Sequence, residues 1–158
     1  MKEILILFLV LVFSTSNIYS QNKTVKGRVI DNRMVTLPYV SIVINDTVKI
    51  GRTDLNGFFQ IEIPDTVKKI SFITVGIDLA SVELIDKCNE VEVVMMLSGT
   101  YDFISLKKVD KLRMKSFKKL PEIHKGAFEK GLFKTDKACY TRDFINNYKK
   151  KSDIKTKL

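Results

Sequence analysis

Two cysteines could form a covalent link in this chain of 158 residues, since Cys88 and Cys139 are the only two. In an exported protein an even number of cysteines favours a disulfide. The bond would close a loop of about 50 residues and hold the C-terminal part of the chain against the polar segment that contains Cys88. Two free thiols are the alternative, and the sequence leaves both open.

His124 is the only histidine in the chain. Catalytic zinc sites need several histidine or carboxylate ligands around one metal, so His124 cannot build such a site alone. We therefore predict no catalytic, cofactor-binding or metal-binding residue. His124 itself is expected on the surface or at the cap of a helix rather than as a general base.

The segment Asp54-Leu55-Asn56-Gly57 has the start of a calcium-loop pattern, with Asp65 at the twelfth position. An EF-hand also needs further oxygen ligands and two flanking helices, whereas the residues after Gly57 alternate like a strand. Asp and Asn side chains cap turns, and Gly accepts a positive φ. We therefore interpret Asp54, Asn56 and Gly57 as a structural turn, and predict a β-hairpin around it.

Two tripeptides, Asp46-Thr47-Val48 and Asp65-Thr66-Val67, resemble the acceptor of a periplasmic O-glycosylation system of some Gram-negative bacteria. Both are expected in surface turns, as an acceptor threonine requires. Thr47 and Thr66 are therefore candidate O-glycosylation sites. The alternative is that both tripeptides are ordinary turns that lead into strands.

The strands that must position these residues follow one another at short intervals, as in an all-β sandwich. Phe59, Ile61 and Ile63 alternate with Gln60 and Glu62, which predicts a strand with one buried face. The stretch 67–75 is apolar on both faces, which predicts a central strand. In all, the pattern predicts about seven strands, over residues 25–31, 39–45, 49–53, 58–63, 67–75, 79–85 and 91–97.

Four separated motifs resemble the carboxypeptidase-regulatory-like domain, and they come in the order of that family over roughly residues 23–97. The chain departs from the family pattern at Ile73-Thr74-Val75-Gly76-Ile77, where the usual final aromatic residue is missing. The motifs are Val25-Lys26-Gly27-Arg28-Val29-Ile30-Asp31, Leu37-Pro38-Tyr39-Val40-Ser41-Ile42, Gly51-Arg52-Thr53-Asp54-Leu55-Asn56-Gly57-Phe58-Phe59 and Ile70-Ser71-Phe72-Ile73-Thr74-Val75-Gly76.

The resemblance implies a transthyretin-like (prealbumin-like) β-sandwich of an exported Gram-negative protein. Such domains are often attached to zinc carboxypeptidases, but this chain has only one histidine. Transthyretin-like hydrolases have a C-terminal Tyr-Arg-Gly-Ser, whereas this chain ends Lys155-Thr156-Lys157-Leu158. We therefore do not expect an enzyme.

The first 20 residues have the pattern of a signal peptide. Lys2 precedes an apolar run from Ile4 to Phe13, which is too short to span a bilayer comfortably, and small polar residues follow up to Ser20. We predict cleavage after Ser20 and export to the periplasm or the outer membrane. An uncleaved N-terminal anchor is the alternative.

The chain carries a net charge of +9, which is concentrated in its C-terminal part. Residues 21–100 hold nine basic and ten acidic side chains, whereas residues 101–158 hold 17 and seven. Apolar residues at helical spacing predict a helix from Phe103 to Leu120, a second opened by Pro121 and ended by Gly131, and a third through Tyr140, Phe144 and Tyr148. Residues 21–99 would thus be the sandwich, and 100–158 a basic, partly helical extension whose helices contact the sandwich or a partner.

Two functional hypotheses follow. The first is a non-catalytic interaction module of the cell envelope that binds an envelope protein or a glycan. The second is a protein that binds an anionic surface, such as lipid or lipopolysaccharide, through its basic C-terminal extension. A solvated lysine-rich helix face would explain the same charge, and the predicted export argues against nucleic acid as the partner.

Overall fold

The computed structural model describes residues 22–85, 88–99 and 101–147. The predicted signal peptide, residues 1–20, lies outside them. The described residues form eight strands and two helices. In chain order these are β1 (Asn22–Asp31), β2 (Ser41–Ile44), β3 (Val48–Arg52), β4 (Phe58–Pro64), β5 (Lys69–Ile73), β6 (Ala80–Leu84), β7 (Glu90–Met95), α1 (Leu106–Phe117), α2 (Leu120–Glu129) and β8 (Tyr140–Thr141).

The strands form two sheets, so the prediction of a mainly β protein is confirmed. The three-stranded sheet has the order β4-β1-β7, with β1 antiparallel to β4 and parallel to β7. The five-stranded sheet has the order β3-β2-β5-β6-β8 and is antiparallel throughout. Seven strands lie in the predicted region, and the eighth, β8, comes from the C-terminal extension.

The main core is built from strands in which buried apolar residues alternate with exposed residues. In β4, Phe59, Ile61 and Ile63 are buried while Gln60 and Glu62 are exposed, as predicted. Both sheets contribute to this main cluster, and its aromatic rings meet edge to face across 5.4 Å between the centroids of Phe59 and Phe72. The buried members are Val25, Val29, Val40, Ile42, Ile44, Phe59, Ile61, Ile63, Ile70, Phe72, Ala80, Val82, Leu84, Cys88, Val91, Val93 and Met95.

The predicted hairpin around Gly57 is wrong, because β3 and β4 belong to different sheets. The turn itself forms: Asp54 Oδ1 accepts the backbone N–H groups of Asn56 and Phe58, each at 2.8 Å. Gly57 has φ +78°, and a Cβ there would lie 2.5 Å from the carbonyl oxygen of Val29 in β1. The turn therefore carries the chain onto β1, which takes β4 as its antiparallel partner.

The strand predicted over residues 67–75 is shorter, since β5 covers Lys69–Ile73. It lies in the middle of its sheet, and Ile70 and Phe72 are fully buried. Val75, which the prediction placed inside this central strand, lies beyond its end and is 98% exposed. The paired part of the strand is covered, whereas its apolar continuation enters a turn.

The C-terminal extension forms two of the three predicted helices. The first begins at Leu106 rather than Phe103. The second has Pro121 in its first turn, and Gly131 follows its end with φ +70°, as predicted. The third helix is wrong in the described residues, because Tyr140–Thr141 pairs with β6 as the edge strand β8. Tyr148 lies outside the described residues.

A second hydrophobic cluster joins this extension to the three-stranded sheet. Its buried members are Ile30 of β1, Val94 of β7, Ala127 of α2 and Phe133. Because neighbouring strand residues point to opposite faces, Val29 and Val93 enter the main core while Ile30 and Val94 enter this outer cluster. The extension thus packs on the sandwich, one of the two arrangements expected, and its described part is not a separate appendage. Phe103 is fully exposed.

Candidate functional site

A disulfide joins Cys88, just before β7, to Cys139, just before β8, with an S–S distance of 1.96 Å. Of the two alternatives that the sequence left open, a disulfide or two free thiols, the structure therefore contains the disulfide. The bond lies beside the main core, where Cys88 is buried. It links residues 139–142, which include the edge strand β8 of the five-stranded sheet, to β7 at the edge of the three-stranded sheet.

Two side chains of that segment hydrogen-bond to the outer edge of β7. The Tyr140 hydroxyl donates to the carbonyl oxygen of Glu92 at 3.0 Å, and Arg142 Nη1 donates to that of Val94 at 2.8 Å. The donors Tyr140 and Arg142 are two residues apart, and so are the acceptors Glu92 and Val94. Both pairs therefore match the two-residue period of a β-strand. Burial raises the pKa of Tyr140 to about 12, so its hydroxyl remains a hydrogen-bond donor well into the alkaline range.

The buried carboxylate of Glu92 binds the loop after α2. It accepts the backbone N–H of Lys134 at 2.6 Å, the backbone N–H of Thr135 at 3.1 Å and the Thr135 hydroxyl at 2.8 Å. These bonds satisfy a charge that would otherwise be costly to bury. Glu92 was not predicted as a special residue, although an acid inside the otherwise apolar stretch Val91–Met95 is the signal that could have found it.

His124 is buried, so its predicted surface or cap position is wrong. Its Nε2 lies 3.1 Å from the Thr135 carbonyl oxygen, and its ring centroid lies 4.8 Å from that of Phe133. Burial lowers the pKa of His124, against the opposing effects of the Glu92 charge and the Thr135 carbonyl. The Nδ1 atom is buried and has no hydrogen-bond partner in the part of the chain that the structure describes.

A cleft of about 430 Å³ opens beside His124, between β7, the junction of the two helices and residues 136–142. Most of its surface is apolar. Its apolar lining comes from Val94, Phe117, Leu120, Pro121, Ala138 and Tyr140, and its polar lining from Lys118, His124, Asp136, Lys137 and Arg142. We call this the β7–helix cleft and treat it as the candidate binding site.

Arg142 brings a half-buried cation to the β7–helix cleft. Its guanidinium donates to the carbonyl oxygens of Val94 and Leu79 and lies 5.6 Å from the centroid of the Phe117 ring. Among the ion pairs of the described residues, none includes Arg142. Burial lowers the pKa of Arg142, partly opposed by Tyr140 and Asp78.

Arg113 of α1 shows the opposite arrangement. Its Nε lies 2.8 Å from Asp78 and its Nη1 lies 2.9 Å from Asp110, so two carboxylates compensate one buried guanidinium. Nη1 also donates to the Ile145 carbonyl oxygen at 3.0 Å. Burial alone would lower the pKa of Arg113, but the two aspartates together raise it. This cluster fixes α1 against the loop between β5 and β6.

The remaining predicted site residues lie apart from the cleft. Thr47 and Thr66 are both exposed, in the turns after β2 and β4, so each is accessible; their glycosylation stays a prediction. The Asp54 carboxylate oxygen that caps its turn already accepts two N–H groups. Within residues 22–85, 88–99 and 101–147 no group of three or more His, Cys, Asp or Glu side chains could hold a metal ion. No helix in those ranges is long and apolar enough to cross a membrane.

No protein-family model matches the sequence, and a search of curated proteins found no match.

Proposed function

We propose that this protein is a non-catalytic binding module of the cell envelope, and that the β7–helix cleft is where it binds an envelope protein or a glycan. The observation that carries the proposal is the cleft itself. It combines a mostly apolar surface with a half-buried guanidinium, and apolar clefts with a few placed polar groups are typical of ligand sites. The sandwich is proposed to have the transthyretin-like topology of the carboxypeptidase-regulatory-like domain.

The surroundings of His124 support a binding role over a catalytic one. Its Nε2 is bonded to the Thr135 carbonyl, and its ring packs on Phe133. These contacts fix the loop that forms one wall of the cleft.

Export is supported by two independent features. The first 20 residues have the signal-peptide pattern, and disulfides such as Cys88–Cys139 persist in oxidising compartments. Intact-mass analysis of protein from the periplasmic and outer-membrane fractions should show a chain that starts near Gln21. Recovery from the cytosol alone, or a mass that includes Met1–Ser20, would contradict cleavage and export.

Filling the cleft tests the binding role. Ala138 is exposed and lines the cleft, so Ala138→Trp should occupy it without removing a buried contact. Leu55 is also exposed but lies in the turn before β4, so Leu55→Trp is the matched control. Cross-linking in native envelopes should show a partner that the parent and the control capture and that Ala138→Trp loses. Equal capture by both variants would contradict a role for the cleft.

A second candidate is binding to an anionic membrane surface, and α1 favours it. Lys107, Lys111 and Lys115 are exposed and four residues apart, so they line one face of the helix. Replacing all three with Gln should abolish binding to vesicles with anionic lipid if this face is the contact. Such binding should weaken at high salt, since the Debye length falls from about 8 Å at physiological ionic strength to about 3 Å at 1 M.

A further inference from the structure

We propose that the occupant of the β7–helix cleft is an amphipathic carboxylate: a single carboxylate that binds Arg142 and is joined to an apolar body that covers Phe117, Leu120 and Pro121. The inference rests on the proposed binding function and specifies the chemistry of the ligand. We assign the carboxylate to the C-terminus of an envelope protein whose last residue is apolar, and treat a free fatty acid as the alternative that the experiment distinguishes. Both present the same groups to the cleft.

The first argument is the charge of Arg142. A guanidinium has five N–H donors, and within the part of the chain that the structure describes both hydrogen bonds of Arg142 go to neutral backbone carbonyls. Arg113, in the same part of the molecule, has two carboxylate partners at 2.8 and 2.9 Å. A buried charge is costly unless an opposite charge compensates it. The Asp78 charge offsets the burial of Arg142 only in part, and among the described residues no carboxylate forms an ion pair with it. Arg142 therefore has both the donors and an electrostatic reason to bind an anion.

The second argument is the surface next to this charge. Phe117, Leu120 and Pro121 line the same cleft as Arg142, and the Phe117 ring is the one near its guanidinium. A fully hydrated anion would leave these side chains in water. An apolar body attached to the anion would cover them, and its binding would be favoured in proportion to the apolar area removed from water.

The third argument concerns the other charged groups of the cleft. Lys118 and Lys137 are exposed, and Asp136, the one acidic side chain of the lining, is exposed as well. The lowered pKa of His124 keeps its ring neutral at pH 7. The cleft thus has one half-buried cation, which matches a single negative charge, while the exposed lysines attract the ligand over a longer range. A planar guanidinium suits a carboxylate because two N–H groups can bind its two oxygens.

Paired probes test the head group. Isothermal titration calorimetry on the full chain should show binding of octanoate and of N-acetyl-Leu-Phe as the free acid. The matched neutral compounds, octanamide and N-acetyl-Leu-Phe-amide, should bind about tenfold to a hundredfold more weakly, because they lose the charge-assisted hydrogen bonds. If octanoate binds and the peptide acid does not, the source is a fatty acid; the reverse result indicates a peptide. Equal binding of acid and amide, or tighter binding of octyl phosphate than of octanoate, would overturn the proposal.

Variants test the place of binding. Arg142→Lys keeps the charge but loses the planar donor pair, so octanoate should bind more weakly while the difference between acid and amide persists. Because Arg142 also bonds β7, Ala138→Trp provides a second test that leaves those bonds intact, and it should abolish binding of both probes. Lys111→Ala, on α1 outside the cleft, should leave binding unchanged. Unchanged octanoate binding by Ala138→Trp would place the ligand elsewhere.

The two proposals can fail separately. If no carboxylate probe binds but Ala138→Trp still loses a cross-linked envelope partner, the cleft binds that partner through other chemistry. If octanoate binds with the expected dependence on Arg142 but cross-linking is unaffected by Ala138→Trp, the cleft takes a small carboxylate and the proposed macromolecular partner is wrong.

Discussion

The inside of the sandwich and the attachment of the C-terminal extension are held together in different ways. The main hydrophobic cluster between the sheets has 17 buried members, whereas the cluster beneath α2 has four, Ile30, Val94, Ala127 and Phe133. The extension adds directional bonds to that small cluster. These bonds are the disulfide, the three to Glu92, the ion pairs of Arg113, and the Tyr140 and Arg142 contacts with β7.

This difference has a structural consequence. Apolar packing is tolerant of direction, while a hydrogen bond to a carbonyl or a carboxylate fixes distance and angle. Residues 134–142 are therefore held at defined points of β7, although residues 134–138 are exposed. The β7–helix cleft is the space that remains beside α1 and α2 when the loop is held this way.

The largest expected effect compares the two clusters by the same substitution. Phe72→Ala should lower the free energy of unfolding by about 3 to 5 kcal/mol, since Phe72 is fully buried between the sheets. Phe133→Ala should cost about 3 kcal/mol or less, because the small outer cluster can relax around the gap. Urea unfolding of both variants measures this. An equal loss would show that the extension is packed as firmly as the core.

The disulfide is next in magnitude. Cys88 and Cys139 are 51 residues apart, so replacing both with Ser should cost roughly 2 to 4 kcal/mol, toward the upper end for so long a loop. Hydrogen exchange should then show lost protection at β8, with β1 and β4 less affected. Uniform loss of protection over both regions would mean that the extension and the sandwich unfold as one unit.

Two glutamates of β7 provide a comparison that tests the hydrogen bonds between this strand and the loop after α2. Glu92→Gln weakens three bonds to a buried carboxylate and should cost about 1 to 3 kcal/mol. Glu90→Gln is the control, because its partners Lys26 and Lys134 are largely exposed lysines, and it should cost less than about 1 kcal/mol. Similar melting temperatures for the two variants would mean that the Glu92 bonds do not hold the loop.

The smallest effect is the pH dependence of His124. Burial lowers its folded-state pKa, so the unfolded chain binds the proton more tightly, and stability falls as the pH drops below the unfolded value of about 6.5. One such group contributes at most about 1.4 kcal/mol per pH unit. His124→Gln should remove this contribution, so the difference between parent and variant in unfolding free energy should change between pH 7 and 5. A constant difference would contradict a shifted His124.

The sequence predicted several local elements of this structure correctly, but not which other elements they pair with. The alternation in β4, the capped turn at Asp54 and the proline and glycine bounds of α2 are local features, and all three are present. The partner of β4 was predicted wrongly, because a turn motif specifies the path of four or five residues and not the strand that the next segment pairs with. The error at Tyr140 has the same origin, since aromatic residues four apart satisfy a helical period whether or not a sheet edge is near.

By itself the sequence determined that the chain is mainly β, that residues 101–158 carry the positive charge, and that the two cysteines can form one intramolecular disulfide at most. These properties follow from side-chain period, composition and count. Only the tertiary structure decided that Tyr140 and Arg142 bond the edge of β7, that Glu92 holds Thr135, and that a cleft lies beside them. The partners in these contacts are 43 to 48 residues apart, and no local period or propensity encodes a hydrogen bond over that distance.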